Sequence, residues 1–194
     1  MKNNRYTLRA LARLLAYPDA QLRSELSALA DAIDQEAALP AARRAELRTL
    51  ALELQRSAPL DTEARYVETF DRGRATSLHL FEHVHGDSRD RGPAMIDLAQ
   101  TYEKAGLFLG PDELPDHLCV VLEFASTQPA ALAKSFLGEM AHILTAIFSA
   151  LLQRDSPYAA VLAAVLELSG HTAQAVTIAV DEAMDDSWAE PEAF

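Results

Sequence analysis

The stretch Pro129-Ala-Ala-Leu-Ala-Lys-Ser-Phe-Leu-Gly-Glu-Met-Ala-His-Ile-Leu-Thr-Ala-Ile-Phe-Ser-Ala-Leu151 decides the fold class. Leu132, Phe136, Met140, Ile143, Ile147 and Leu151 recur three or four residues apart, and Leu144 and Phe148 widen the stripe. Side chains so spaced share one face of a helix, so the pattern predicts one long amphipathic helix opened by Pro129. The same reading extends outward. Leu8, Leu11 and Leu15 predict a first helix, which Pro18 ends by disfavouring helical geometry at Tyr17. Leu22, Leu26, Leu29 and Ile33 predict a second, with Asp19 as its N-cap. Leu47, Leu50 and Leu54 continue the pattern between Pro40 and Pro59, and Asp61 is the expected N-cap of a helix running through Phe70.

Asp71 to Thr76 reads as a turn around Gly73, followed by a helix from about Ser77 to Val84 and a loop from Gly86 to Gly92. Pro93 suits the first turn of a helix with the stripe Met95, Leu98, Tyr102 and Ala105, closed by Gly106 and Gly110. The loop from Pro111 to Pro115 leads to a helix with Leu118, Val121, Leu122 and Ala125 facing inward. Ser156-Pro157 starts another that stops near Gly170, and Thr172 to Ala183 is a candidate for one more. With only seven glycines and no strand-like alternation, the expected fold is all-α. It would be a single-domain helical bundle with short loops over residues 1–184, followed by a mobile acidic C-terminal tail, 185–194.

A chain of 194 residues can bury a sizeable core. Its formal net charge of -12 argues against nucleic acid, whose phosphates demand a basic face. That charge suits a basic peptide partner, and equally a solvated acidic surface. Cys119 is the sole cysteine, which excludes an intrachain disulfide and a thiolate metal site; its apolar-periodic position reads as core. Met1 to Arg5 runs into a charged helix with no long apolar region, and no run of about 18 apolar residues occurs. The expectation is a cytoplasmic protein with no membrane span.

Chemistry concentrates in Tyr66-Val-Glu-Thr-Phe-Asp-Arg-Gly-Arg-Ala-Thr-Ser-Leu-His-Leu-Phe-Glu-His-Val-His-Gly-Asp-Ser-Arg-Asp-Arg-Gly-Pro-Ala-Met95. His79 and His83, four apart, would share a helical face and could ligate zinc with Glu82 or His85. That is one rival function, a metal-dependent hydrolase, but Glu82 would point about 100° away from His83 and His85 lies at the helix end. A nucleotide-binding regulator is a second rival. Neither a P-loop nor a Rossmann fingerprint is present, and Arg89 and Arg91 have Asp87 and Asp90 as nearby partners. No nucleophile elbow occurs, so Asp116-His117 is a dyad without a nucleophile; Asp116 reads as an N-cap and His117 as a first-turn residue. Catalysis is not expected. Peptide recognition fits better, with Tyr66, Phe70, Leu78, Leu80, Phe81 and Val84 beside a polar rim of Glu82, His83, His85, Arg89, Asp116 and His117. Phe70 and Phe81 also read as ordinary core.

Ser77 to Met95 resembles the signature of the NarJ-type nitrate reductase assembly chaperones, a branch of the TorD/DmsD family of molybdoenzyme chaperones. Asp112-Glu-Leu-Pro-Asp-His-Leu118, leading into Val121-Leu-Glu-Phe124, is similar to that family's acidic-Pro-Asp-His element. Weaker similarity runs from Leu11-Ala-Arg-Leu-Leu-Ala-Tyr-Pro18 to Trp188-Ala-Glu-Pro-Glu-Ala-Phe194. The resemblance implies a TorD-like all-α fold, no metal or cofactor of its own, and a cytoplasmic chaperone rather than an enzyme. Its implied partner is the catalytic (alpha) subunit of a respiratory nitrate reductase, bound through a basic N-terminal segment left from a twin-arginine leader. The chaperone would hold that subunit for molybdenum cofactor insertion and delay its membrane attachment, with cofactor delivery proteins as further partners. The implied peptide-binding residues are Tyr66, Phe70, Leu80, Phe81, Glu82, His83, His85, Arg89, Arg91, Met95, Glu113, Asp116 and His117. The TorD branch favours leucine before the phenylalanine; Thr69 here fits the nitrate reductase branch.

Overall fold

Asp19 opens α2 (Ala20–Glu36) as its sequence position predicts: the carboxylate accepts the Leu22 N–H at 2.7 Å, satisfying one of the orphan donors of the first turn. The computed structural model describes residues 3–86 and 88–177. Before α2 lies α1 (Arg5–Leu14) and after it α3 (Ala41–Arg56). Arg23 on α2 donates to the carbonyls of Leu54, Gln55 and Ser57, so one guanidinium satisfies the C-terminal end of α3. The remaining helices are α4 (Pro59–Tyr66), α5 (Leu80–His85), α6 (Arg91–Lys104), α7 (Leu118–Thr127), α8 (Ala130–Glu139), α9 (Ala141–Gln153) and α10 (Ala159–Leu168). The all-helical architecture expected from periodicity is the one observed.

The apolar stripes meet as their spacing requires. α1 packs on α2 and α7, α2 on α3, and α10 on α3 and α9. Leu8, Leu11, Leu22, Leu122, Leu144 and Leu162 are fully buried in the main core, where each leucine contributes roughly 1.5–3 kcal/mol relative to exposure. A second, smaller cluster forms around Leu98, Tyr102 and Phe124, with Phe81, Leu107, Leu109 and Val120 partly buried against it. Phe136 and Met140 touch both clusters. α6 is anchored through the smaller cluster, and α5 through Leu80 in the main core and Phe81 in the smaller one.

Several sequence expectations change. The long helix from Pro129 is two, bent by 69° at Met140. The Met140 carbonyl accepts from the Ile143 and Leu144 N–H groups and so starts α9, while the weak helix former Gly138 sits in the last turn of α8. The bend turns Leu137 and Leu144 inward and leaves Leu132 59% exposed. Asp61 is not an N-cap. Ala58 precedes Pro59 at the first helical position, and Asp61 lies in the first turn, where its charge suits the helix dipole. The helix continues past Tyr66 only as a π-helical turn, Val67–Asp71. The helix expected from Ser77 begins at Leu80, because Ser77 to His79 is extended and His79 bridges to His117. Ala105 is exposed rather than part of a buried stripe.

Residues 172–177 are not helical; there the Val176 N–H donates to the Ser149 hydroxyl at 2.9 Å. The rest of the helix expected to Ala183, the tail 185–194 and Asp87 lie outside the described residues. No single helix among the described residues is long and apolar enough to cross a membrane. The bent pair α8 and α9 has the length and composition, but its apolar side chains line the core.

Candidate functional site

Asp116 is fully buried, and it caps a helix other than its own. Its Oδ2 accepts the Phe81 N–H at 3.1 Å, and its backbone carbonyl accepts the Leu80 N–H at 3.1 Å. The Leu118 N–H returns the pairing by donating to the Leu78 carbonyl at 2.9 Å. Two segments 35 residues apart are thereby joined at the start of α5. The expectation that Asp116 would cap the helix after it, with His117 in the first turn, is corrected. His117 is the N-cap of α7, its Nδ1 accepting the Cys119 N–H at 3.3 Å.

Around this carboxylate the polar residues of the signature are ordered. His79 Nδ1 lies 3.5 Å from Asp116 Oδ1, an ion-pair distance rather than a close hydrogen bond. Arg91 Nη2 lies 3.9 Å from Asp116 Oδ2 and 3.4 Å from Glu82 Oε1. The Ser77 hydroxyl donates to Glu82 Oε2 at 2.6 Å, and the Ser77 carbonyl accepts from His83 Nε2 at 2.9 Å. The carbonyl can only accept, so His83 carries its proton on Nε2. Arg91 thus pairs with Glu82 and Asp116 rather than with Asp90, as adjacency in sequence had suggested.

The charges follow from this geometry. The facing carboxylate of Asp116 raises the pKa of His79, against the opposing pull of burial. Burial pushes Asp116 upward, but the His79 partner, the Phe81 N–H and the Arg91 charge outweigh it, and its carboxyl lies below the ordinary value. Burial first, then the His79 charge, lowers His117. The rings of His79 and His117 meet edge to face at 4.9 Å, so a cationic His79 beside a neutral His117 is the favoured arrangement. A neutral His117 is also what its capping role demands, since Nδ1 must keep a lone pair.

The expected site residues separate into three groups. Phe81, Glu82, His83, Arg91, Asp116 and His117 converge on the network. Tyr66 and Leu80 are buried in the core; the Tyr66 hydroxyl donates to the Leu15 carbonyl, and its ring packs on Phe70 at 4.9 Å. Phe70 is also buried, yet it floors a cleft of about 210 Å³ whose walls include Ser77, Glu82, Gly86 and Arg91. His85 stacks edge-on against Phe81 at 5.5 Å, and Met95 is half-buried on α6. Arg89 and Glu113 are exposed, the Glu113 carboxylate accepting the Gly110 N–H at 2.7 Å. Sequence reasoning missed Ser77, which organises both Glu82 and His83. It also set His79 aside as a metal ligand. A serine two residues before a helix start is a local signal that could have been used; the His79–Asp116 pairing has none.

The zinc alternative required His79 and His83 on one helical face. His79 precedes α5 and turns toward Asp116, while His83 turns toward Ser77, so that geometry is not formed. Among the described residues no three His, Cys, Asp or Glu side chains are placed to hold a metal ion. Burial pushes the Cys119 thiol up to about 12, which leaves no thiolate nucleophile at neutral pH.

The all-helical bundle, with a polar network at its edge, has the fold of a solved redox enzyme maturation structure. A crystal structure titled as a candidate redox enzyme maturation protein from Archaeoglobus fulgidus superposes with a TM-score of 0.58 at 21% identity, covering 84% of this chain and 91% of that one. The chain belongs to the nitrate reductase delta subunit family, whose sequence profile matches residues 19–164. It is 43% identical over 180 residues to the nitrate reductase molybdenum cofactor assembly chaperone NarJ of Escherichia coli K12, covering 91% of this chain and 76% of that protein. A probable NarJ of Bacillus subtilis is 33% identical, over 82% of this chain and 86% of its own length. Over 57% of the chain, identity to a probable NarW chaperone of E. coli K12 is 51%. These relatives are named as assembly chaperones and not as catalysts, in keeping with a chain that carries no nucleophile motif.

Proposed function

We propose that this chain is an assembly chaperone for the catalytic subunit of a respiratory nitrate reductase. It binds the basic N-terminal segment of that subunit in the cytoplasm, holds the apo-subunit while the molybdenum cofactor is inserted, and delays membrane attachment. Cofactor delivery proteins would meet the complex there. The observation that carries the reading is the junction at Asp116. It joins the two segments that most resemble the chaperone family, and it gathers Glu82, His83 and Arg91 beside the partly buried Phe81, against which His85 packs. Family membership and 43% identity to an E. coli chaperone of that name support the same conclusion. An acidic chain of net charge -12 attracts a basic segment over a distance.

The test is a pull-down from cells respiring on nitrate, with the captured large subunit identified by mass spectrometry. Enrichment of the nitrate reductase catalytic subunit supports the reading. Its absence, together with full nitrate reductase activity in a strain lacking this chain, sinks it.

A further inference from the structure

We infer that the pocket between α7 and the loop that follows α6 is the anchor subsite for one apolar side chain of the basic client segment. This rests on the chaperone reading and adds a pocket that shares only Glu113 with the residues that reading uses. The pocket measures about 150 Å³ and is walled by Tyr102, Leu107, Leu109, Val120 and Phe124, with Phe108 at its mouth. An apolar cavity of that size accepts a group as large as a benzene ring, so a leucine, isoleucine or phenylalanine side chain fits. Its floor is fixed, because Tyr102 is almost fully buried and its hydroxyl donates to the Pro115 carbonyl at 2.8 Å. Its lip is open among the described residues, where Phe108 is 79% exposed.

Charge selects the occupant. Glu113 and Glu123 stand at the mouth and are exposed, and the Gly110 N–H holds the Glu113 carboxylate in place. Among the described residues, Arg9 from α1 is the one cation lining the pocket. Two carboxylates against one guanidinium leave the mouth net negative, so an apolar side chain flanked by lysine or arginine is favoured over one flanked by acids. The pocket is also continuous with the candidate site. Glu113 and Pro115 lie on the loop that ends in Asp116, and Phe81 packs against the same small cluster as Tyr102 and Phe124. A segment lying across the Asp116 edge would therefore reach the pocket without leaving the surface.

The experiment is calorimetric titration of the full chain with a synthetic peptide of the nitrate reductase catalytic subunit N-terminus from the same organism. Phe108→Ala and Glu123→Lys are chosen because both side chains are exposed and neither change empties the core. The expected result is affinity weakened by about tenfold for each, an unchanged thermal melt, and a Glu123→Lys effect that shrinks as salt is raised. Cutting the apolar side chains of the peptide to alanine should abolish the difference between wild type and Phe108→Ala. If wild type binds the peptide and both variants bind it equally well, the pocket is not the anchor, while the chaperone reading stands. If wild type binds no peptide, the reading and the subsite fall together.

Discussion

The carboxylate of Asp116 caps a helix from 35 residues away in sequence, accepting the Phe81 N–H in the first turn of α5. This single contact makes a surface out of two pieces of sequence. Because the carboxylate is fully buried, the Arg91 guanidinium and, when protonated, the His79 ring beside it favour its ionised form.

Asp116→Ala should therefore cost more than the ~1 kcal/mol of an exposed cap. Removing the carboxylate leaves the Phe81 N–H and the facing His79 and Arg91 without their acceptor, and about 2–4 kcal/mol of stability should be lost. Asp116→Asn keeps an acceptor for the Phe81 N–H and should recover part of it. Thermal melts of the three proteins measure this. A wild-type melt for Asp116→Ala would mean that the capping contact carries no weight.

His117→Ala removes a weaker cap, a ring nitrogen accepting at 3.3 Å, and should cost only about 0.5–1 kcal/mol. Client binding measured well below its melting temperature then reads the site and not the fold. Undiminished binding would place His117 in the scaffold.

Stability should depend on pH through the His79–Asp116 pair. The folded pKa of His79 is raised, so its contribution is complete below the ordinary histidine value near ~6.5 and is lost as pH rises through the higher folded value. Asp116 is lowered, so its contribution is complete above the ordinary carboxylate value near ~3.9 and is lost as pH falls through the folded value. His117, lowered chiefly by burial, opposes His79 by resisting protonation below ~6.5. Comparison with His79→Gln isolates the first of these. Wild type should exceed that variant by more at pH about 6 than at pH about 8, and equal gaps at the two would show that His79 is not cationic in the fold.

Binding of the basic client peptide should weaken from low to high salt, because the ~8 Å screening length at physiological ionic strength cuts off attraction from the wider acidic surface. A calorimetric affinity that stays flat across the salt range would assign the binding to apolar contact alone.

Leu144→Ala, at a fully buried position on α9, should destabilise by about 2–5 kcal/mol through the cavity it leaves, and reduce maturation of the reductase only by unfolding the chaperone. Phe136→Ala should fall toward the lower end of the range for a truncated aromatic, about 3 kcal/mol, because Phe136 is only partly buried where the two clusters meet. Chemical denaturation beside a client pull-down at low temperature distinguishes these losses from a binding defect.

The helices were legible because their stripes are local: Leu22, Leu26 and Ile33 lie within two or three turns of one another, and hydrophobic burial needs only that they share a face. Asp19 was legible as a cap for the same reason, since donor and acceptor are three residues apart. The break at Met140 was not. Leu132 continues the stripe of Phe136 as well as any core residue, and only the bend between α8 and α9 leaves it outside. The candidate site divides along the same line. The sequence by itself marked the crowded polar segment around His79 to Arg91, because residue types there depart from helix propensity, and the family resemblance marked the element at Asp116. Only the tertiary structure decided that Asp116 caps α5, that His79 faces it rather than a metal, and that Phe108 stands open beside Tyr102 and Phe124. A buried charge takes its partners from whatever the packing of distant segments brings within about 4 Å, and periodicity along the chain carries no record of that choice.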